Sequence, residues 1–232
     1  MLDRLVRRVR GLTWPRVVVI VSKAFWLFLF CSVAGLLVEN VYRLAFFGVV
    51  ESRAGLLYGP FSPIYGVGGV IVAFLTWLMR SRSLPVQFVV FAAAGGIVEY
   101  CTSWALQSAF GILAWDYTGT FLSVGGRTNG AFMLAWGVLG LVCSRAAFPL
   151  YHRFVEPLVR RIPRVVTALC MALIAVDVVL TIVAFNGWYQ RLSGEHVDTA
   201  VQRFLERHFD DEYMEERFET MSLYPDDALR SE

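Results

Sequence analysis

The sequence carries little charge and almost no lysine. Asp, Glu, Lys and Arg make up 17% of its 232 residues, against about 25% in an ordinary soluble domain. Lys23 is its only lysine, and a Walker A loop needs Gly-Lys-Ser/Thr, so the chain does not carry its own P-loop ATPase. The four cysteines, Cys31, Cys101, Cys143 and Cys170, lack C-x-x-C spacing, lie in or beside apolar runs, and read as small buried hydrophobes. His152, His196 and His208 share no metal-ligand spacing and read as solvated; no metal and no cofactor is expected. Ser32, Ser103 and Ser123 lack the frame of a nucleophile elbow, so acyl transfer has no foothold and the chain is not expected to be an enzyme. A folded basic surface for nucleic acid is missing as well. The basic start Arg4, Arg7, Arg8, Arg10 leads into an apolar run that continues too long for a cleaved signal peptide, so the first span is expected to stay as an anchor.

What the chain has instead is long hydrophobic runs. It is 57% hydrophobic and 15% aromatic, with a mean hydropathy of +0.57, which places it in the membrane class. Hydropathy marks five spans, at about Ala24–Phe47, Ile64–Met79, Val86–Phe110, Ala131–Leu150 and Val165–Phe185. The expected fold is all-α: a polytopic membrane bundle of about five helices with re-entrant-like outer loops and a C-terminal amphipathic helix. Three regions follow: a basic amphipathic segment at 1–23, the bundle at 24–186, and an acidic tail at 187–232. The first should lie on anionic lipid headgroups. With the N-terminus inside, thirteen Arg and Lys side chains fall on the cytoplasmic side and only Arg43, Arg53 and Arg127 in the short outer loops. The positive-inside rule favours that orientation in the cell membrane, and an odd number of spans puts the tail outside. Within the tail, Val197, Val201, Phe204, Leu205, Phe209 and Phe218 recur near helical spacing, which predicts one amphipathic helix and a frayed end after Pro225.

Two glutamates interrupt the spans in the same frame: Gly35-Leu36-Leu37-Val38-Glu39 and Gly95-Gly96-Ile97-Val98-Glu99. A carboxylate at mid-bilayer depth costs about 2.5–3.5 kcal/mol on the translocon scale for Asp. The frames lie sixty residues apart, and each is followed by an aromatic, glycine-bearing loop. Spans one plus two and three plus four therefore read as a parallel internal repeat, with a site at its interface. Arg43 stands one turn beyond Glu39, an expected i,i+4 ion pair. Glu99 has no basic residue within a turn and is the stronger candidate for proton or cation handling. Asp177 is a third interior acid. The loop Gly55-Leu56-Leu57-Tyr58-Gly59-Pro60-Phe61-Ser62-Pro63-Ile64-Tyr65-Gly66 is too rich in Gly and Pro for a helix, yet apolar. Such backbone at membrane depth must be buried or line a cavity, so it is expected to cap the site. The next outer loop, Trp115-Asp116-Tyr117 through Arg127, adds an Asp and an Arg that could pair.

These residues carry a resemblance. Gly35 to Glu39 with Tyr42, the block Gly55-x-Leu57-Tyr58-Gly59-Pro60 with Pro63-Ile64-Tyr65-Gly66, then Glu99-Tyr100, Trp115-Asp116-Tyr117 and Gly126-Arg127 resemble the Putative ABC-transporter type IV (CmpB-type) family. The match runs from about Phe25 to Leu150. Arg53-Ala54-Gly55 stands where that family has Asn-Arg-Gly, and Ala114-Trp115 where it has a doubled Trp. The resemblance implies a multi-span integral membrane protein of permease type, of unnamed substrate.

The leading expectation is a permease or transport accessory subunit. Glu99, Glu39, Tyr58, Tyr65 and Tyr100 would line its pocket, and Gly55, Gly59, Pro60, Pro63, Gly66, Trp115, Asp116, Tyr117 and Arg127 would form the outer-loop motif. Its partners would be the lipid bilayer and a separate ATPase subunit or a second copy of itself. The alternative is a non-transporting scaffold or sensor that binds a partner through its outer loops and tail.

Overall fold

The computed structural model describes residues 14–194 and 199–223. The basic stretch up to residue 13, His196, Val197 and the chain end after Pro225 lie outside them, so the readings placed there have no structural counterpart. Helix α1 spans Trp14–Phe47, α2 Pro63–Met79 and α3 Leu84–Phe110. Then come β1 at Ile112–Leu113 and α4 at Gly130–Val142. The chain continues helically through short α5 (Phe148–Leu150) and α6 (Glu156–Val159), each preceded by a π turn. Helix α7 covers Arg164–Leu192, α8 Ala200–His208, α9 Asp211–Arg217, and β2 is Ser222–Leu223. Among the described residues, four helical stretches are long and apolar enough to cross a membrane: Arg16–Phe47, Leu84–Phe110, Gly130–Val159 and Arg164–Leu192. The helix α2 is apolar but shorter, at 17 residues.

Local chemistry sets the boundaries. Pro63 and Pro85 sit in the first turns of α2 and α3, after Ser62 and Ser83 in extended backbone; a proline there gives up an N–H that no helix would have used. Gly111 closes α3 in the left-handed region at φ 64°. Asn129 caps α4 by accepting from the Phe132 amide. The two π turns, Cys143–Ala147 and Tyr151–Val155, each end two residues before a proline, Pro149 and Pro157. A proline ring in a helix collides with the carbonyl four residues back, and a widened turn relieves it.

The helices pair as antiparallel hairpins, α1 with α2 and α3 with α4. In both, glycine lets an aromatic or sulfur side chain seat on the facing backbone. A Cβ on Gly35 would strike the Tyr65 ring, one on Gly66 the Phe28 ring, and one on Gly69 Cys31. In the second hairpin a Cβ on Gly95 would strike Trp136, one on Gly137 Phe88, and one on Gly140 Phe91. The six contacts correspond one to one: α1 positions map onto α3 by adding sixty, and α2 positions onto α4 by adding seventy-one. The parallel repeat read from the two Gly-x-x-Val-Glu frames thus extends to the register of packing.

The largest buried cluster lies beyond the hairpins. Leu57 from the first loop and Ile112 from β1 meet Ala184, Phe185 and Trp188 of α7 and Leu205, Phe209, Met214 and Phe218 of the tail. The tail holds two short helices where the periodicity predicted one, because Asp210 caps a new helix by accepting from the Tyr213 amide. β2 completes the attachment by pairing antiparallel with β1, Ile112 opposite Leu223.

Candidate functional site

The end of the bundle away from the N-terminus gathers the charged loop residues. Glu39 lies sixteen residues beyond Lys23 on α1, and Glu99 fifteen beyond Leu84 on α3. At 1.5 Å per residue these are about 24 Å and about 22 Å along the axes. Both carboxylates therefore stand at about the same height along their helices, toward the loops.

Glu39 does not pair with Arg43. Arg53 Nη1 donates to Glu39 Oε1 at 2.6 Å, and the Tyr65 hydroxyl donates to Oε2 at 2.7 Å. Arg43 turns to Glu51, donating to both of its oxygens at 2.9 Å. Arg53 also reaches Glu51 Oε2, at 3.0 Å. The i,i+4 reading failed because the loop after α1 folds back and delivers Glu51 and Arg53 onto the helix end. Two carboxylates and two guanidinium groups alternate, so the charge closes to zero. Hydrogen bonds from Arg53, with Arg43 beside it, hold the Glu51 carboxyl below its ordinary range.

Glu99 is 6% exposed and meets no cation among the described residues. It accepts from Thr128 Oγ1 at 2.9 Å, and the Trp136 indole is its other neighbour. Trp136 occupies the place in the second hairpin that Tyr65 holds in the first: each ring rides on the glycine four residues before the glutamate it contacts. Tyr65 and Trp136 face one another, with centroids 6.3 Å apart. The Tyr117 phenol, stacked on Phe132, lies within electrostatic reach of Glu99, Glu39 and Arg53. Burial first, and then the two glutamates, keep it protonated above its ordinary range. Glu39, Tyr65, Trp136, Glu99 and Tyr117 thus form one group at the junction of the hairpins.

Other expected site residues have different neighbours. The Tyr58 ring packs edge-on against Phe209 of the tail, at 6.1 Å, while its amide donates to Asp177 Oδ1 at 3.2 Å. Thr181, one turn on in α7, accepts from the Leu57 amide at 3.0 Å. Asp177 therefore holds the loop rather than joining the glutamates. From the far side, Arg217 of α9 donates to the Leu56 carbonyl at 2.7 Å and the Gly59 carbonyl at 2.6 Å. Gly59 needs its φ of 69°, and a Cβ on Gly55 would meet Pro63 Cδ, so these glycines and Pro63 serve the loop's path. Gly66 makes room for Phe28, and Pro60 is exposed at the loop tip.

Asp116 and Arg127 do not pair. Asp116 accepts from the Thr118 amide at 2.8 Å, and the Thr118 hydroxyl first and then that amide hold its carboxyl below its ordinary range. Arg127 goes to Gln107 Oε1 at 2.7 Å and lies over the Tyr100 ring at 5.6 Å. The Trp115 indole donates to the Arg127 carbonyl at 2.8 Å.

The sequence reading missed Arg53, Trp136 and a second centre at the opposite end. There Glu156, 7% exposed, receives Lys23 Nζ at 2.8 Å, Arg160 Nη2 at 2.8 Å and His152 Nδ1 at 2.5 Å. His152 is exposed, as the sequence suggested, and in addition bonds Glu156. Its spacing of four residues to Glu156, and that of Arg160 beyond, was the available signal. Trp136 could have been found by aligning the second helices of the repeat on Tyr65. No cluster of three His, Cys, Asp or Glu that could hold a metal occurs among the described residues.

The model of the family described as Putative ABC-transporter type IV matches residues 26–182. That range takes in both hairpins and ends inside α7, leaving the tail outside. No curated protein and no solved structure matches the chain.

Proposed function

Since the chain belongs to the Putative ABC-transporter type IV family, a membrane protein family by its four long apolar helices here, we propose that it serves as the membrane-spanning permease or accessory subunit of a transport system. In this reading the working group is Glu99. The observation that carries the proposal is the contrast between two equivalent carboxylates. Glu39 is neutralised by Arg53, whereas the partners of Glu99 among the described residues, Thr128 and Trp136, are neutral. A buried acid without a counter-charge can take and release a proton or accept a cation, which a paired acid does far less readily. Tyr117 supplies a phenol within electrostatic reach of it, Tyr65 binds the neighbouring Glu39, and Asp177 and Arg217 hold the Tyr58 loop in place. The basic end faces the cytoplasm in this proposal, α2 makes the fifth crossing, and the tail lies outside the cell. Energy for uphill transport comes from a separate ATPase subunit, because the chain has no P-loop of its own.

Glu99→Gln tests this. It keeps the shape and the Thr128 bond and removes the ionisable proton. Transport or ligand binding should be lost in whole cells or proteoliposomes with expression and melting temperature unchanged. Wild-type activity in that variant would remove Glu99 from the mechanism. The scaffold reading draws on the tail, which the loop contacts through Arg217 and Tyr213. In that case Glu99→Gln should alter stability, and partner capture should depend on α8 and α9.

A further inference from the structure

We propose that the basic end of the bundle holds one anionic phospholipid, with an acyl chain between α1 and α7 and its phosphate on Arg164. The first and last long helices leave a groove of about 210 Å³ between them. Val17, Val18 and Val21 line it from α1, Ala168 and Met171 from α7, and Arg164 stands on its rim. Trp26 Nε1 donates to Thr167 Oγ1 at 3.2 Å, which ties the two helices together beside the groove. An apolar groove open to the bilayer with a cation at its rim matches an amphiphile that has a hydrocarbon chain and an anionic head.

Charge bookkeeping within the chain points to the same occupant. Glu156 is the only acid between Asp116 and Asp177, a stretch that contains Arg127 at the loop end and Arg145, Arg153, Arg160, Arg161 and Arg164 toward the basic end. Glu156 is already taken by Lys23, His152 and Arg160. Arg164 is exposed and makes no ion pair or side-chain hydrogen bond among the described residues. Its charge is thus open to an anion from outside the described residues. A free anion would leave the groove unfilled, and a zwitterionic lipid brings its own ammonium group. A phosphatidylglycerol-type lipid supplies the hydrocarbon and the net negative charge together.

The test is native mass spectrometry of the full-length protein in detergent, titrated with phosphatidylglycerol or phosphatidylcholine of identical acyl chains. One phosphatidylglycerol should be retained in preference to phosphatidylcholine. Arg164→Gln should lower that retention about fivefold, the weight of one basic residue at a membrane surface. Ala168→Trp, which fills the groove and keeps the charge, should lower it as well. Arg153→Gln, an exposed arginine whose guanidinium lies over Phe154, should leave it unchanged. Matching melting temperatures qualify each variant, and Arg164→Gln decides alone if the tryptophan variant does not fold. Equal retention of the two lipids, or wild-type retention by Arg164→Gln, overturns the proposal. So does a high-yield disulfide between Arg7→Cys and Ala168→Cys, which would place the N-terminal stretch in the groove.

Discussion

At the scale of single residues, two glutamates in one sequence frame end in different electrostatic surroundings. The frame Gly-x-x-Val-Glu fixes where each sits on its helix but says nothing about what the following loop brings to it. The first loop brings Arg53; the second brings Thr128. That difference was invisible in the sequence, where Arg43 at i+4 was the nearest cation and Arg53 lay fourteen residues away. Removing Arg53 leaves Glu39 without its cation. Since the Glu39 side chain is 22% exposed and keeps its Tyr65 bond, Arg53→Ala should cost about 1–3 kcal/mol, below a fully buried pair. Arg43→Ala should cost clearly less, and thermal melts of the two variants in detergent check the order. Acid should weaken the same network. The Glu51 carboxyl is depressed below its ordinary 4.5, so its stabilisation is complete above that value and is lost as pH falls through the lower folded value. Glu51→Gln should flatten the part of the stability-against-pH curve below pH 4.5, measured against wild type.

At the scale of elements, most helices were legible and their junctions less so. The ends of α2 and α3 follow from Pro63 and Pro85, and lie within two residues of the spans read from hydropathy. α1 begins ten residues before the expected span, because a basic or polar flank does not stop an α-helix; it only leaves the apolar slab. The segment after α4 continues to Val159 rather than ending near Leu150, since its two prolines are absorbed by π turns instead of breaking the helix. The hairpins depend on close approach at glycine. Gly95→Ala would push a methyl into Trp136, and Gly35→Ala would push one into Tyr65. Each should destabilise by about 1–3 kcal/mol through overpacking. Gly95→Ala should in addition impair the site, because the displaced ring is a neighbour of Glu99. Gly48→Ala serves as a contrast: nothing lies near its Cβ, and only its φ of 67° resists the change. The tail contact is the other element-scale device. Arg217→Ala removes the bonds to the Leu56 and Gly59 carbonyls and should destabilise by about 2 kcal/mol, the range for hydrogen bonds to a charged group. Faster protease cleavage between Arg53 and Phe61 is the matching readout.

For the whole molecule, the decisive quantity is how many times the chain crosses the bilayer. Hydropathy predicts five crossings; the four long helices account for four, and α2 is the open case. At 17 residues it spans about 26 Å, a few ångströms short of the hydrocarbon core, a mismatch that local thinning accommodates. Its neighbours tie both of its ends. Tyr65, near its start, bonds Glu39 at the loop end, while Gln87, just past the turn that follows it, bonds Arg145 toward the basic end. Helix α3 then runs back to place Glu99 beside Thr128 and Trp136. If α2 crosses, the number of crossings is odd, and the tail lies opposite the basic end. If α2 stays within one leaflet, the number of crossings is even and the tail lies on the side of the N-terminus. Single cysteines settle it when placed at Arg161 and at Thr220 in a background whose native cysteines are replaced by serine or alanine. A membrane-impermeant maleimide applied to intact cells should label Thr220→Cys at once and Arg161→Cys only after permeabilisation. The reverse pattern, Arg161→Cys labelled at once and Thr220→Cys only after permeabilisation, would with the N-terminus inside give an even count. Glu39 and Glu99 would then lose their common depth, and with it the physical basis for treating them as one site.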